Sequence, residues 1–307
     1  MIFMKAEEHL TGLIAAPHTP FDRNGEVAWE VIPQQAELLI RSGLTGAYIC
    51  GSTGEGISCS VSERLRIMEA WHHASQGRLK LIVHIGALSL KDVEVLGRRA
   101  DELRVFAVSV VPANYFKPAT VELLVRYCRE AAAFAPHCRF YYYHSSLSGI
   151  SLPMPAFLEK ADNVIPTLAG IKFNSMNLYE FQQCRRVLGG KYDIVYGTDE
   201  FYAGARALGA RGFIGSTFNY QPELYFKIDR AFDRGDWQAV EAGMSKVCRG
   251  VELLNRYGGV ACGKALMTVR GIDVGDPRLP LASLTPAQKK SIVREYEELM
   301  RDESSCL

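Results

Sequence analysis

The residues 167–175, TLAGIKFNS, place a lysine inside what is otherwise a buried-strand pattern of Leu168, Ala169, Ile171 and Phe173. A solvated lysine with a pKa near 10.4 is neutral in only about one molecule in a few thousand at neutral pH. Desolvation lowers that pKa and frees the lone pair to attack a ketone, so Lys172 is a candidate Schiff-base nucleophile. The resulting iminium is an electron sink of the kind needed to break or make a carbon–carbon bond beside a ketone. The competing reading is an ordinary lysine that snorkels or forms a salt bridge.

Other polar groups fall at comparable positions. RFYYYH (139–144) ends in Tyr143-His144, and the Tyr143 phenol could shuttle a proton to and from a substrate hydroxyl, with Ser52 as an orienting neighbour. Tyr141 and Tyr142 read as packing. GSTGEG (51–56) lacks the lysine of a phosphate-binding loop, but its glycines can turn main-chain N–H groups inward. Ser52 and Thr53 add hydroxyl donors, and together these suit a carboxylate. Asp199 and Glu200 in GTDE (197–200) either cap the following helix or accept hydrogen bonds from sugar hydroxyls. GSTFN (215–219) adds Ser216.

The elements that carry these residues recur regularly. Short β-branched or aromatic runs begin near Gly12, Gly46, Lys80, Val105, Arg139, Leu168, Tyr192 and Gly212, at intervals of about 20–34 residues, each suited to a strand plus a crossover helix. Ser60 with Glu63 makes a capping box, and Thr285 with Pro286 makes a helix start. Eight units predict an α/β fold, a closed (β/α)8 TIM barrel over residues 1–235, followed by a C-terminal helical extension over 236–307 packed on it as one structural unit. An open doubly wound sheet is the alternative, but it normally has fewer strands. In such a barrel the active site lies at the carboxyl ends of the strands, where all the candidates above fall.

Bulk properties narrow the function classes. The chain has 307 residues, 48% of them hydrophobic, and 35 basic residues against 34 acidic ones. A net charge of +1 supplies no general field for nucleic acid or an anionic membrane. MIFMKAEEHL has acidic residues where a signal peptide needs an apolar core, and no apolar run is long enough to span a bilayer, so a soluble, cytoplasmic protein is expected. Eight cysteines without a C-x-x-C pair read as reduced thiols. Adjacent His72 and His73 diverge on a helix and cannot share a metal as an i, i+4 pair could, so no metal is expected.

GSTGEG, YYYH, GIKF, GTDE and GSTFN, in that order and at these intervals, resemble the pyruvate-dependent class I aldolases of the dihydrodipicolinate synthase and N-acetylneuraminate lyase superfamily. The similarity runs from about residue 10 to GIDVGDPRLPL, and GTDE, GSTFN and the YYYH ending bring it closest to the N-acetylneuraminate lyase branch. The resemblance implies that Lys172 forms the Schiff base, that Tyr143 is the acid/base, and that Ser52 and Thr53 hold the carboxylate. It also implies that Gly197, Asp199, Glu200 and Ser216 contact the sugar chain and that Asn174 falls where the lyases usually carry a hydroxyl residue. The implied reaction is reversible cleavage of N-acetylneuraminate to N-acetylmannosamine and pyruvate, in a homotetramer, without metal or organic cofactor.

Three features depart from the pattern. The loop after Tyr143 reads His144-Ser145-Ser146-Leu147-Ser148-Gly149, one residue shorter than usual and without the family's proline. Asn174 replaces a hydroxyl residue. PANYFKP (112–118) is one residue longer than usual, and Tyr115 is the position matched to a tyrosine lent to a neighbouring subunit. Dihydrodipicolinate synthases carry an arginine where Leu147 stands, and leucine cannot clamp a second carboxylate. The alternatives are a related aldolase acting on another 2-keto acid, dihydrodipicolinate precursors included, or a keto acid or sugar sensor that binds without turnover.

Overall fold

The computed structural model describes residues 9–112 and 115–301. Eight parallel strands close into a barrel in chain order: β1 Gly12–Ala15, β2 Gly46–Ile49, β3 Lys80–His84, β4 Ala107–Val110, β5 Arg139–Ser145, β6 Leu168–Asn174, β7 Asp193–Tyr196 and β8 Gly212–Gly215. Closure is made by β8 against β1, with Gly12 opposite Gly212 and Ala15 opposite Gly215. Each predicted run marks its strand; β4 and β7 begin two and one residues later than the apolar pattern suggested, and β5 and β6 each run one residue past it.

The crossover helices are α1 Val31–Arg41, α2 Val61–Ser75, α3 Leu90–Glu102, α4 Val121–Ala133, α5 Met154–Ala161, α6 Leu178–Arg186, α7 Tyr202–Ala207 and α8 Pro222–Arg234. The Ser60–Glu63 capping box is formed at the start of α2. α8 stops at Gly235, whose left-handed backbone (φ 71°) is a conformation glycine adopts without strain. Asp236 then caps α9 Trp237–Arg256, which is followed by α10 Gly259–Leu266 and α11 Pro286–Arg301.

Strand alternation sorts side chains into two cores. Ile49, Val83, Val108, Phe140, Tyr142, Ile171, Phe173 and Phe213 point outward into the layer beneath the helices. Ile14, Tyr48, Ile82, Ala107, Tyr141, Tyr143, Val195 and Ile214 fill the lumen. At the lumen floor the Asp193 carboxylate accepts hydrogen bonds from the Leu10 N–H (2.8 Å) and the Tyr141 hydroxyl (3.0 Å). A third cluster, with Tyr220, Leu254, Leu266 and Tyr296, seats α9–α11 on the barrel mouth. No described helix is long and apolar enough to cross a membrane.

Candidate active site

Lys172 lies on β6 beside Tyr143 of β5 and Val195 of β7, and the pleat turns its side chain into the lumen while Ile171 and Phe173 face the helices. It is 5% exposed. Its Nζ sits 3.8 Å from the Tyr48 ring centroid and 4.0 Å from that of Tyr143, with no carboxylate in ion-pair range among the described residues. Burial lowers its pKa below the ordinary lysine value, and the Tyr143 phenol opposes that shift only in part. The amine is therefore poised toward its neutral, nucleophilic form.

The two phenols that flank it are not equivalent. Burial drives the Tyr48 pKa well above that of a free phenol, and the Tyr48 hydroxyl is 3.1 Å from Ser109 Oγ, where it donates a hydrogen bond. Tyr143 is equally buried, but the Lys172 charge, the Asn174 hydrogen bond and the nearby Ser52 and Ser145 hydroxyls together outweigh burial and hold its pKa below the ordinary value. The Asn174 amide makes this bond at 3.3 Å, while its carbonyl accepts from the Thr198 hydroxyl at 3.1 Å. One phenol stays protonated beneath the amine; the other can exchange its proton.

Above them opens a cavity of about 320 Å³, within the range of small-molecule sites. All nine catalytic and binding candidates line it: Ser52, Thr53, Tyr143, Lys172, Asn174, Gly197, Asp199, Glu200 and Ser216. Asp199 does not cap α7. Its carboxylate is buried and accepts from the Thr217 N–H (3.0 Å) and hydroxyl (2.7 Å). Burial pushes its pKa up to about 6, against the pull of these two donors. Leu147, 80% exposed, forms part of the rim. Tyr115 is exposed and packs its ring on Phe116, whereas Ala113 and Asn114 of the same motif lie outside the described residues.

The GSTGEG loop is tighter than its composition suggests. Left-handed backbone falls on Cys50 and Glu55, and the glycines serve close approach: a Cβ on Gly56 would enter the Cys50 carbonyl, and one on Gly51 would sit 2.6 Å from the Tyr48 ring. Glu55 anchors the loop. Its carboxylate pairs with Lys264 Nζ at 2.9 Å, both side chains 1% exposed, and accepts the Arg278 N–H at 2.8 Å. Lys264 also donates to the Thr19 and Asp276 carbonyls. Sequence reasoning missed this pair, as it missed Tyr48, His18 and the roof made by Val251, Leu254, Asn255, Gly259 and Val260. The glutamate sits inside a quoted motif, but its partner is a single lysine in GKALM, far along the chain.

Among the described residues, seven cysteines are free, and no group of three His, Cys, Asp or Glu side chains could hold a metal; Cys306 lies outside those residues.

A closed parallel barrel with a polar cavity at the carboxyl ends of its strands, together with the relatives below, defines a class of protein, the carbon–carbon lyases built on this barrel. The chain belongs to the dihydrodipicolinate synthetase family, whose model matches residues 9–299. Among solved structures it is similar to Proteus mirabilis N-acetylneuraminate lyase, with 51% identity, a TM-score of 0.94, and coverage of 95% of this chain and 99% of that one. The N-acetylneuraminate lyase (sialic acid aldolase) of Aliivibrio salmonicida matches at 48% identity and a TM-score of 0.94, covering 95% of this chain and 97% of that one. The human N-acetylneuraminate lyase is 36% identical over 281 residues, 90% of this chain and 88% of the relative.

Proposed function

We infer that the chain catalyses the reversible cleavage of N-acetylneuraminate to N-acetylmannosamine and pyruvate through a Schiff base on Lys172. The observation that carries this is the buried Lys172 amine, without an ion-pair partner among the described residues, open to a cavity beside Tyr143. Similarity to N-acetylneuraminate lyases over most of the chain supports the substrate.

The neutral amine adds to the C2 ketone of the open-chain substrate, and loss of water gives the iminium. The Tyr143 phenolate takes the C4 hydroxyl proton as the C3–C4 bond breaks. C4 becomes the aldehyde of N-acetylmannosamine, and the bonding pair is held as an enamine on Lys172. Tyr143 returns its proton to C3, and hydrolysis of the imine releases pyruvate and the amine. Ser52 and Thr53 hold the carboxylate, while Asn174 positions the Tyr143 hydroxyl. Gly197, Asp199, Glu200 and Ser216 contact the sugar chain, with Asp199 and Glu200 as acceptors. We further take the enzyme to act in the cytoplasm, which the seven free cysteines among the described residues support, and as a homotetramer, which sedimentation would test.

Borohydride reduction with pyruvate, followed by peptide mass mapping, tests the assignment. A reduced pyruvyl adduct is expected on Lys172; labelling of another lysine, or of none in folded protein, removes it.

A further inference from the structure

The chain leaves β1 through Ala16 and Pro17 into His18, which lines the cavity yet is 1% exposed. Among the described residues neither ring nitrogen has a hydrogen-bond partner. The Thr53 main chain bears on the imidazole without closing a bond of normal geometry. A buried polar ring without a partner costs stability, so an ordinary core position would be better filled by leucine.

The surroundings hold this ring in place. The His18 carbonyl accepts from Gln35 Nε2 at 2.9 Å. Next to it, the Thr19 hydroxyl donates to the Gly54 carbonyl at 2.5 Å, and the Thr19 carbonyl accepts from Lys264 at 2.9 Å. Space for the ring comes from α10, where a Cβ on Gly263 would lie 2.7 Å from Nε2. Burial and the Lys264 charge depress its pKa to about 3, so the ring stays neutral at working pH and serves as a hydrogen-bond donor rather than an acid. Its neighbours on the β2 side are Thr53 and, through Thr19, Gly54, so it borders the carboxylate loop. The sugar-side acceptors Asp199 and Glu200 come from the end of β7, two strands away on the other side of β1.

We propose that His18 is a substrate-binding residue whose imidazole N–H donates to the carboxylate of the bound 2-keto acid, completing the cradle of Ser52 and Thr53. Its role presupposes the keto acid chemistry inferred above.

The test is steady-state synthesis of N-acetylneuraminate with each substrate varied in turn. For His18→Leu, the KM for pyruvate rises about tenfold, as expected for loss of a hydrogen bond to a charged group. The KM for N-acetylmannosamine and kcat stay within a few-fold. His18→Asn, which keeps an N–H donor, recovers most of the pyruvate affinity. If the leucine variant cannot be purified, His18→Phe fills the site without a donor and gives the same reading. An unchanged pyruvate KM overturns the proposal, as does a loss spread equally over kcat and both KM values in the leucine and asparagine variants. Borohydride labelling of the wild type separates the two inferences: an unlabelled Lys172 removes the aldolase chemistry, whereas a labelled Lys172 with an indifferent His18→Leu removes only the role of His18.

Discussion

Tyr143→Phe removes one oxygen and little else. The phenyl ring keeps its edge contacts with Tyr48 (5.7 Å between centroids) and His84 (6.2 Å), and it remains under the Lys172 amine. The hydrogen bond lost to Asn174 is long at 3.3 Å, so the folded state loses at most about 1 kcal/mol. Lys172 loses a neighbour that raises its pKa, which leaves the amine at least as nucleophilic. Imine formation with pyruvate should therefore survive. Cleavage should not, because no second phenol is available: the Tyr48 pKa lies far above the working range. Loss of the general base predicts a fall in kcat of about 10²–10⁴. That corresponds to about 3–5 kcal/mol on the barrier. Coupling pyruvate release to lactate dehydrogenase gives the rate, and borohydride trapping counts the adduct. The wild-type rate should rise with pH to a plateau set by a phenol below the ordinary value, and the variant should lack that limb. Near-normal turnover with full adduct would refute the assignment and move the proton shuttle elsewhere.

Lys264→Met strands the buried Glu55 carboxylate and should cost about 3–5 kcal/mol in a denaturant melt, with a raised KM for pyruvate as the Ser52–Thr53 loop loosens. Adding Glu55→Gln should recover part of that loss, and strict additivity would mean that the two are uncoupled. Asp199 titrates near 6 when folded against 3.8 free, so its stabilising contribution is complete below pH 3.8 and is lost as pH rises through 6. Asp199→Asn should then gain about 1–3 kcal/mol near neutral pH and none near pH 4, while losing cleavage activity; equal gains at both pH values would contradict the desolvation account. His18 has the opposite sign: its folded pKa of about 3 lies below the free value of 6.5, so its contribution is complete above 6.5 and fades as pH falls toward 3. Between pH 7.5 and 5 the wild type should lose about 2 kcal/mol more stability than His18→Leu, a difference that matched urea melts would reveal or exclude.

Much of the barrel was legible because a parallel strand buried on both sides leaves an uninterrupted apolar run, and eight such runs at crossover spacing admit few topologies. Lys172 stood out for the same reason, being the polar exception within a run. Tyr143 was readable from its place at a strand mouth. Tyr48 was not: an aromatic in GAYIC looks like packing, and only closure of the barrel brings it beneath a lysine four strands away. The roof escaped notice because GGVACGKAL has small residues where a binding surface is usually sought among polar ones; here smallness is the function, since Gly263 makes room for His18. The local sequence allows Asp199 as a cap or a sugar acceptor, and the clamp from Thr217 that aims it depends on the β7–β8 juxtaposition, which no local pattern encodes.

The charge distribution around the cavity argues for a polyhydroxyl chain over a second acid group. Among the described lining residues Lys172 is the single lysine or arginine, and in the proposed mechanism its nitrogen is committed to the C2 carbon of the substrate. Beyond the Ser52–Thr53 loop the wall carries Asp199 and Glu200 but no guanidinium, and at the rim Leu147 offers no donor. A dicarboxylate arriving there would meet two carboxylates and no bidentate partner. Sugar hydroxyls would find acceptors, and Val251, Leu254 and Val260 of the roof give an apolar surface on which an acetamide methyl can rest. The synthase-like alternative thus asks this cavity to bind what its walls repel, and Leu147→Arg alone should not create that activity while Asp199 and Glu200 remain.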